Sequence, residues 1–118
     1  MQKLTNKEEE IMQILWSRGA MFVKEIVALY EEPKPHFNTV STMIRMLEGK
    51  GFVGHEVFGN THRYFPTISQ EEYSKGVLGN VVTRYFENSY KSVVSALIEE
   101  EKISISELEE LIRKVQDQ

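Results

Sequence analysis

No cysteine occurs in this chain of 118 residues. That excludes a disulfide framework, a thiolate metal site and a cysteine nucleophile, and it suits a reducing compartment. Also missing is any apolar run approaching the roughly 18 residues that span a bilayer. The opening "MQKLTNKEEE" lacks the hydrophobic centre of a signal peptide. A soluble cytoplasmic protein without membrane insertion is the expectation. There is no Gly-rich phosphate loop, internal repeat or low-complexity linker. Positive charge is scarce too: the formal net charge is −4, the wrong sign for a nucleic-acid partner.

The distribution of that charge softens the objection. Residues 1–68 hold eight Lys/Arg (3, 7, 18, 24, 34, 45, 50, 63) and eight carboxylates (8, 9, 10, 25, 31, 32, 48, 56). From Ser69 onward six basic residues meet ten acidic ones, so the whole excess lies there. Screening over about 10 Å at 0.1 M salt lets an acidic tail coexist with a contact surface of different field. With 41% apolar residues, the length fits one compact domain or a small domain with a helical appendage.

What is present is helical periodicity with clear punctuation. Thr5-Asn6-Lys7-Glu8 is a capping box, and Ile11, Met12, Leu15 and Trp16 form an apolar stripe ending near Gly19. After the "RGAM" break, Val23, Ile26, Val27 and Tyr30 mark a second helix, which Pro33 and Pro35 must end. The stretch "NTVSTMIRMLEGKGFV" gives a third helix over 38–50, with Val40, Met43, Ile44 and Leu47 on its inner side. Lys50 and Gly51 read as its basic last residue and C′ glycine. Its opposite side carries Asn38, Thr42 and Arg45, flanked by Ser41 and Met46, in place of the usual Glu/Lys mixture. Two readings stand for that surface: an ordinary solvated face, or a reading head built of short hydrogen-bonding groups. In "FVGHEVFGNTHRYFPT" two β-prone runs flank Gly59-Asn60, a two-residue hairpin turn that sets Glu56 opposite Arg63 and His55 opposite Tyr64.

Three short helices and a hairpin are the order of a winged helix, the helix-turn-helix variant whose third helix enters the major groove. The expected fold is therefore mainly α with a small β-hairpin. Residues 1–68 form the winged helix, and 69–118 form a helical region. In the latter, capping boxes at Ser69–Glu72 and Ser104–Glu107 open helices with wide apolar stripes. Val81, Tyr85, Val94, Leu97, Leu108, Leu111, Ile112 and Val115 lie along them. Three one-sided helices in about fifty residues are too small to bury themselves well. A second copy of the chain is the simplest cover, and packing back onto the winged helix is the alternative.

The motifs "LTNKEEEIMQILW", "VKEI", "NTVSTMIRMLEGKGFVGH", "YFP" and "SVVSALIEEEKISISELEELIRKV", in that order, resemble the penicillinase-repressor family of bacterial transcription factors, the BlaI/MecI/CopY group. The resemblance implies a homodimeric repressor on a palindromic double-stranded DNA operator, with the C-terminal helices forming the dimer. It also implies release through a membrane sensor-protease system that triggers cleavage in the dimerisation region. The copper-responsive branch of the family does not fit, because its thiolates are absent here. Two positions depart from the pattern. Met46 stands where members often carry an arginine, with Arg45 one position earlier. The scissile Asn-Phe pair of antibiotic-responsive members aligns with Ala96-Leu97, so the candidate cleavage bond differs in both residues.

The DNA-contacting set read from the sequence is Asn38, Thr39, Ser41, Thr42 and Arg45 on the third helix, with Lys50, His62 and Arg63 at its end and on the wing. Thr39 sits at the rim of the face, and Arg63 has a second use as the partner of Glu56. His36, His55 and His62 match no metal-ligand spacing and lie on a loop and strands expected to diverge, so no metal and no cofactor are expected. Trp16 reads as core. The runs "KEEE" and "IEEEK" are solvated carboxylates, no catalytic arrangement is present, and an enzyme is not expected. A winged-helix module that binds a protein instead of DNA is the competing function, favoured by the sparse charge of the third helix.

Overall fold

The first helix begins where two side chains exchange hydrogen bonds with each other's backbone. The Thr5 hydroxyl accepts from the Glu8 backbone N–H at 3.2 Å, and Glu8 Oε1 accepts from the Thr5 N–H at 2.9 Å. In this computed structural model, which describes residues 3–116, α1 runs Asn6–Arg18 and ends at Gly19, whose φ of +86° suits a residue without Cβ. Ile11, Met12 and Leu15 are wholly buried.

The segment after Gly19 corrects the expected plain break. Met21–Phe22 is a short strand, β1, pairing antiparallel with β3 (Thr61–Pro66), with Met21 opposite Tyr64 and Phe22 opposite Arg63. Two residues show no period of their own, so only the partner strand reveals them. With β2 (Val53–Phe58) the sheet has three strands in the order β1-β3-β2.

The second helix is also shorter than its stripe suggests. α2 spans Val23–Ala28, and Tyr30 lies beyond it. The chain tightens before either proline is reached: the N–H groups of Leu29 and Tyr30 donate back three residues, to Ile26 O and Val27 O. Lys34 Nζ then donates to the carbonyls of Ala28 and Tyr30. Those carbonyls would otherwise need further turns of helix.

α3 spans Phe37–Gly49, with Lys50 as C-cap. Gly51 follows at φ +85°, where its N–H donates to Glu48 O at 3.0 Å and that of Phe52 to Leu47 O at 2.9 Å. This paired closure turns the chain sharply into β2. The β2–β3 hairpin turns at Gly59-Asn60, with His55 opposite Tyr64 and Glu56 opposite Arg63, the register read from the sequence. Val40, Ile44 and Leu47 of α3, all without exposure, meet Ile11, Leu15 and Ile26 in one core.

Two compact units divide between Gly76 and Val77, inside α4 (Gln70–Tyr85). The beginning of α4 belongs to the first. The Trp16 indole donates to Ile68 O at 2.8 Å, and buried Tyr73 packs near Trp16 and Phe52 while its hydroxyl donates to Glu9 at 2.9 Å. In the second unit α4 stops at a turn where Glu87 and Asn88 take positive φ, and Ser89 caps α5 (Tyr90–Glu99). A reciprocal Ser104–Glu107 box opens α6 (Ile105–Gln116). No helix among the described residues is long and apolar enough to cross a membrane.

One ion pair is built into the first unit. Glu8, only 3% exposed, receives Lys50 Nζ on both carboxylate oxygens, at 2.9 and 2.8 Å, joining the first turn of α1 to the end of α3. Burial alone would raise the Glu8 carboxyl, but the Lys50 ammonium and the Thr5 bonds outweigh it and hold the group below the ordinary carboxylate range. A depressed folded value means stability that is present above the unfolded pKa, about 4.3 for a glutamate, and lost as pH falls through the folded value. Lys50→Met should destabilise the first unit at neutral pH by about 1.5–3 kcal/mol. It should also weaken the acid-side loss, because the stranded carboxyl then gains from protonation. Urea unfolding followed by the fluorescence of Trp16, the one tryptophan, at neutral and acid pH tests both expectations.

Candidate nucleic-acid interface

The packing of α3 decides which of its side chains face outward. With Val40, Ile44 and Leu47 fixed in the core, a turn of 100° per residue leaves Asn38, Thr42 and Arg45 on the opposite side, all three exposed. The Thr42 hydroxyl donates to Asn38 O at 2.9 Å and accepts from Arg45 Nη2 at 3.4 Å. The three therefore form a ladder along one helix face. Among the described residues, no carboxylate pairs with the Arg45 guanidinium. Thr39 is exposed to one side of this ladder, and Ser41 is half-buried. Met46, 52% exposed, adds a flexible apolar surface beside Arg45.

The remaining cations of the sequence-based set are engaged within the protein. Lys50 is held by Glu8, as described. Arg63 lies on the far face of the hairpin, where Nη2 donates to Glu56 Oε1 at 3.2 Å and the guanidinium stacks 4.8 Å above the Phe58 ring. Its Nε is buried and has no hydrogen-bond partner among the described residues. Phe58 in turn meets Phe22 of β1 edge-on at 5.7 Å. Alternation along β3 therefore separates Arg63 from His62, which points to the other face.

On that other face the histidine reading needs correction. The strands were expected to keep the histidines apart, yet the rings of His55 and His62 stack with centroids 4.3 Å apart and planes 10° from parallel. His55 pairs with Tyr64 across the ladder, so residue 62, two positions along, is its diagonal neighbour on the same face. His36 stands apart as the N-cap of α3. His55 Nδ1 donates to Glu48 Oε2 of α3 at 2.5 Å, and Tyr64 closes the cluster at 5.6 Å from His55. Burial pushes the Tyr64 hydroxyl up, and the Glu48 carboxylate adds to this while Arg45 opposes it. Glu48 and Tyr64 were not read as site residues from the sequence. The expected His55–Tyr64 pairing was the signal that would have found this cluster.

The family model described as penicillinase repressor matches residues 4–117. The chain belongs to the penicillinase repressor family. Among its relatives in that family, the penicillinase repressor of Bacillus licheniformis is 22% identical over 116 residues, covering 98% of this chain and 91% of the relative. The methicillin resistance regulatory protein MecI of Staphylococcus aureus is 23% identical over 112 residues, covering 92% and 89%. The solution structure of the DNA-binding domain of the repressor BlaI superposes with a TM-score of 0.53 at 25% identity, over 62% of this chain and 94% of that domain. The fold is thus a winged helix followed by helices, as the element order implied. The relatives named here are regulators, not enzymes.

Proposed function

We propose that this penicillinase-repressor family member is a cytoplasmic, homodimeric transcriptional repressor that places α3 in the major groove of a palindromic operator. The observation that carries the reading is the exposed Asn38–Thr42–Arg45 ladder on a helix whose other side is fully committed to the core. Short amide and hydroxyl groups let the helix approach base edges closely, and Arg45 has the reach and fork to address a guanine. Thr39 and Ser41 address phosphates at the rim of the groove. Lys50 and Arg63, tied into the fold, act by fixing the end of α3 and the shape of the wing, while His62 reaches the backbone.

Residues 1–68 carry this reading head, and 69–118 carry dimerisation. In the second unit Val82 is fully buried, whereas Val81, Tyr85, Leu97, Leu111, Ile112 and Val115 are exposed and Val94 and Leu108 half-buried. So much uncovered apolar side chain calls for a partner surface. A second copy supplies one that complements itself about a two-fold axis, matching the two-fold symmetry of a palindrome. A membrane sensor-protease system is the partner the family suggests for release. The Ala96-Leu97 bond lies inside α5, where Ala96 O accepts from the Glu100 N–H, so cleavage there requires that helix to open.

The competing reading, a winged-helix module for a protein partner, draws on the small number of unpaired cations near α3. Selection of bound genomic fragments by the purified protein at two salt concentrations separates the two. An enriched palindrome with half-sites about one helical turn or a multiple apart, and affinity falling steeply with salt, supports the repressor. The absence of any enriched motif supports the module. On the selected duplex, Arg45→Ala should cost about 1–3 kcal/mol and relax preference at one base position, measured by titration against single-base variants. Leu111→Asp should lower self-association in sedimentation and operator affinity together, since two half-sites bind jointly.

A further inference from the structure

The wing carries its adjustable charge on histidine alone. Between Val53 and Pro66 the charged or chargeable groups are His55, Glu56, His62, Arg63 and Tyr64. Glu56 and Arg63 offset each other on the face away from α3. Tyr64, buried in the core, is uncharged at neutral pH. That leaves the two stacked imidazoles, and histidine is the side chain whose charge changes between about pH 5 and 8. Their situations differ. His55 gives its Nδ1–H to Glu48, which offsets a positive charge on that ring. His62 is exposed, lies against His55 at 4.3 Å, and among the described residues has no carboxylate bonded to it.

The groups that face His62 are therefore His55 on β2, Tyr64 on β3, and, beyond them on α3, Glu48 and Arg45, whose fields both reach Tyr64. β1 brings no charged residue to the sheet. A second proton on the stack sets two cationic rings side by side, and the protein supplies only one carboxylate at the pair. The missing anion has to come from outside. Glu48 of α3 bonds His55 and the field of Arg45 reaches Tyr64, so this face lies beside the outward side of α3; with α3 in the groove, the reading above sets it against the flanking duplex backbone, where phosphates are spaced closely.

We propose that His62 is a proton-linked phosphate contact of the wing, so that binding of a duplex draws a proton onto the His55–His62 stack and tightens as pH falls. This rests on the DNA-binding reading above. The proton comes from solvent and stays on the imidazole while the phosphate is bound. Linkage then gives the direction: the complex holds more protons than the free protein, so affinity rises toward acid pH. The requirement is met by any duplex whose backbone the wing reaches, which makes the effect one of affinity more than sequence.

The experiment uses the full chain and a fluorescein-labelled duplex recovered by the selection described above, beside a mixed-sequence duplex of equal length. Binding is measured at fixed ionic strength from about pH 8 to about pH 6, the window of histidine titration, for the wild type, His62→Gln and His36→Gln. Circular dichroism at both ends of the range checks that each remains folded. The expected result is wild-type binding at least about fivefold tighter at the acid end, a dependence that falls below about twofold in His62→Gln and persists in His36→Gln. Calorimetry in two buffers of different ionisation enthalpy should show proton uptake by the wild type that His62→Gln lacks. Duplex binding that ignores pH, or a dependence retained in His62→Gln, overturns the inference and leaves the DNA reading intact. If neither duplex binds at any pH, the DNA reading falls and this inference falls with it.

Discussion

Burial of one face of α3 is the constraint on which the rest depends. Val40, Ile44 and Leu47 have no exposure, and together they fix the rotation of the helix about its own axis. Once that rotation is set, nothing further has to be arranged for Asn38, Thr42 and Arg45 to point away from the protein. The closure at Gly51 sets the far end, delivering Phe52 and Val53 to the core and the hairpin to the side of the helix. The same contacts that stabilise the domain thus orient its candidate reading surface.

Electrostatics around this surface are economical. Of the cations near it, Lys50 is neutralised by a buried carboxylate and Arg63 is spread over an aromatic ring and a carboxylate. Arg45 stands free of carboxylate partners among the described residues. The salt-dependent part of binding that such cations give carries no sequence information. Discrimination then has to come from hydrogen bonds and close fit, which is what small amide and hydroxyl side chains provide. Met46, half-exposed, fits that picture by adding adaptable apolar contact next to the arginine.

Much of this was legible in the sequence because several local signals agreed. The Thr5–Glu8 box, the Lys50-Gly51 ending and the Gly59-Asn60 turn each fix backbone geometry within a few residues, and the structure has all three. β1 was not legible, since two residues carry no periodicity and their partners lie in β3. The end of α2 was misplaced because the prolines looked decisive, whereas Lys34 satisfies the last carbonyls earlier. For the candidate site, the α3 ladder followed from helical spacing. The engagement of Lys50 by Glu8 did not, because capping explained Glu8 fully and nothing local links the two. Stacking of His55 on His62 was latent in the hairpin register, one diagonal step from the expected Tyr64 pair.

The Glu8–Lys50 pair has a meaning for how such a chain can change over generations. Glu8 already closes the capping box of α1, and its second duty is to meet a lysine whose place in the sequence is 42 residues away. Drift at either position is therefore not independent. A lineage that replaces the lysine inherits a buried anion, and one that replaces the glutamate inherits both an uncapped helix and an ammonium without its counter-charge. The two sites should consequently vary together, while the exposed positions between them on α3 are free to diversify on an unchanged frame.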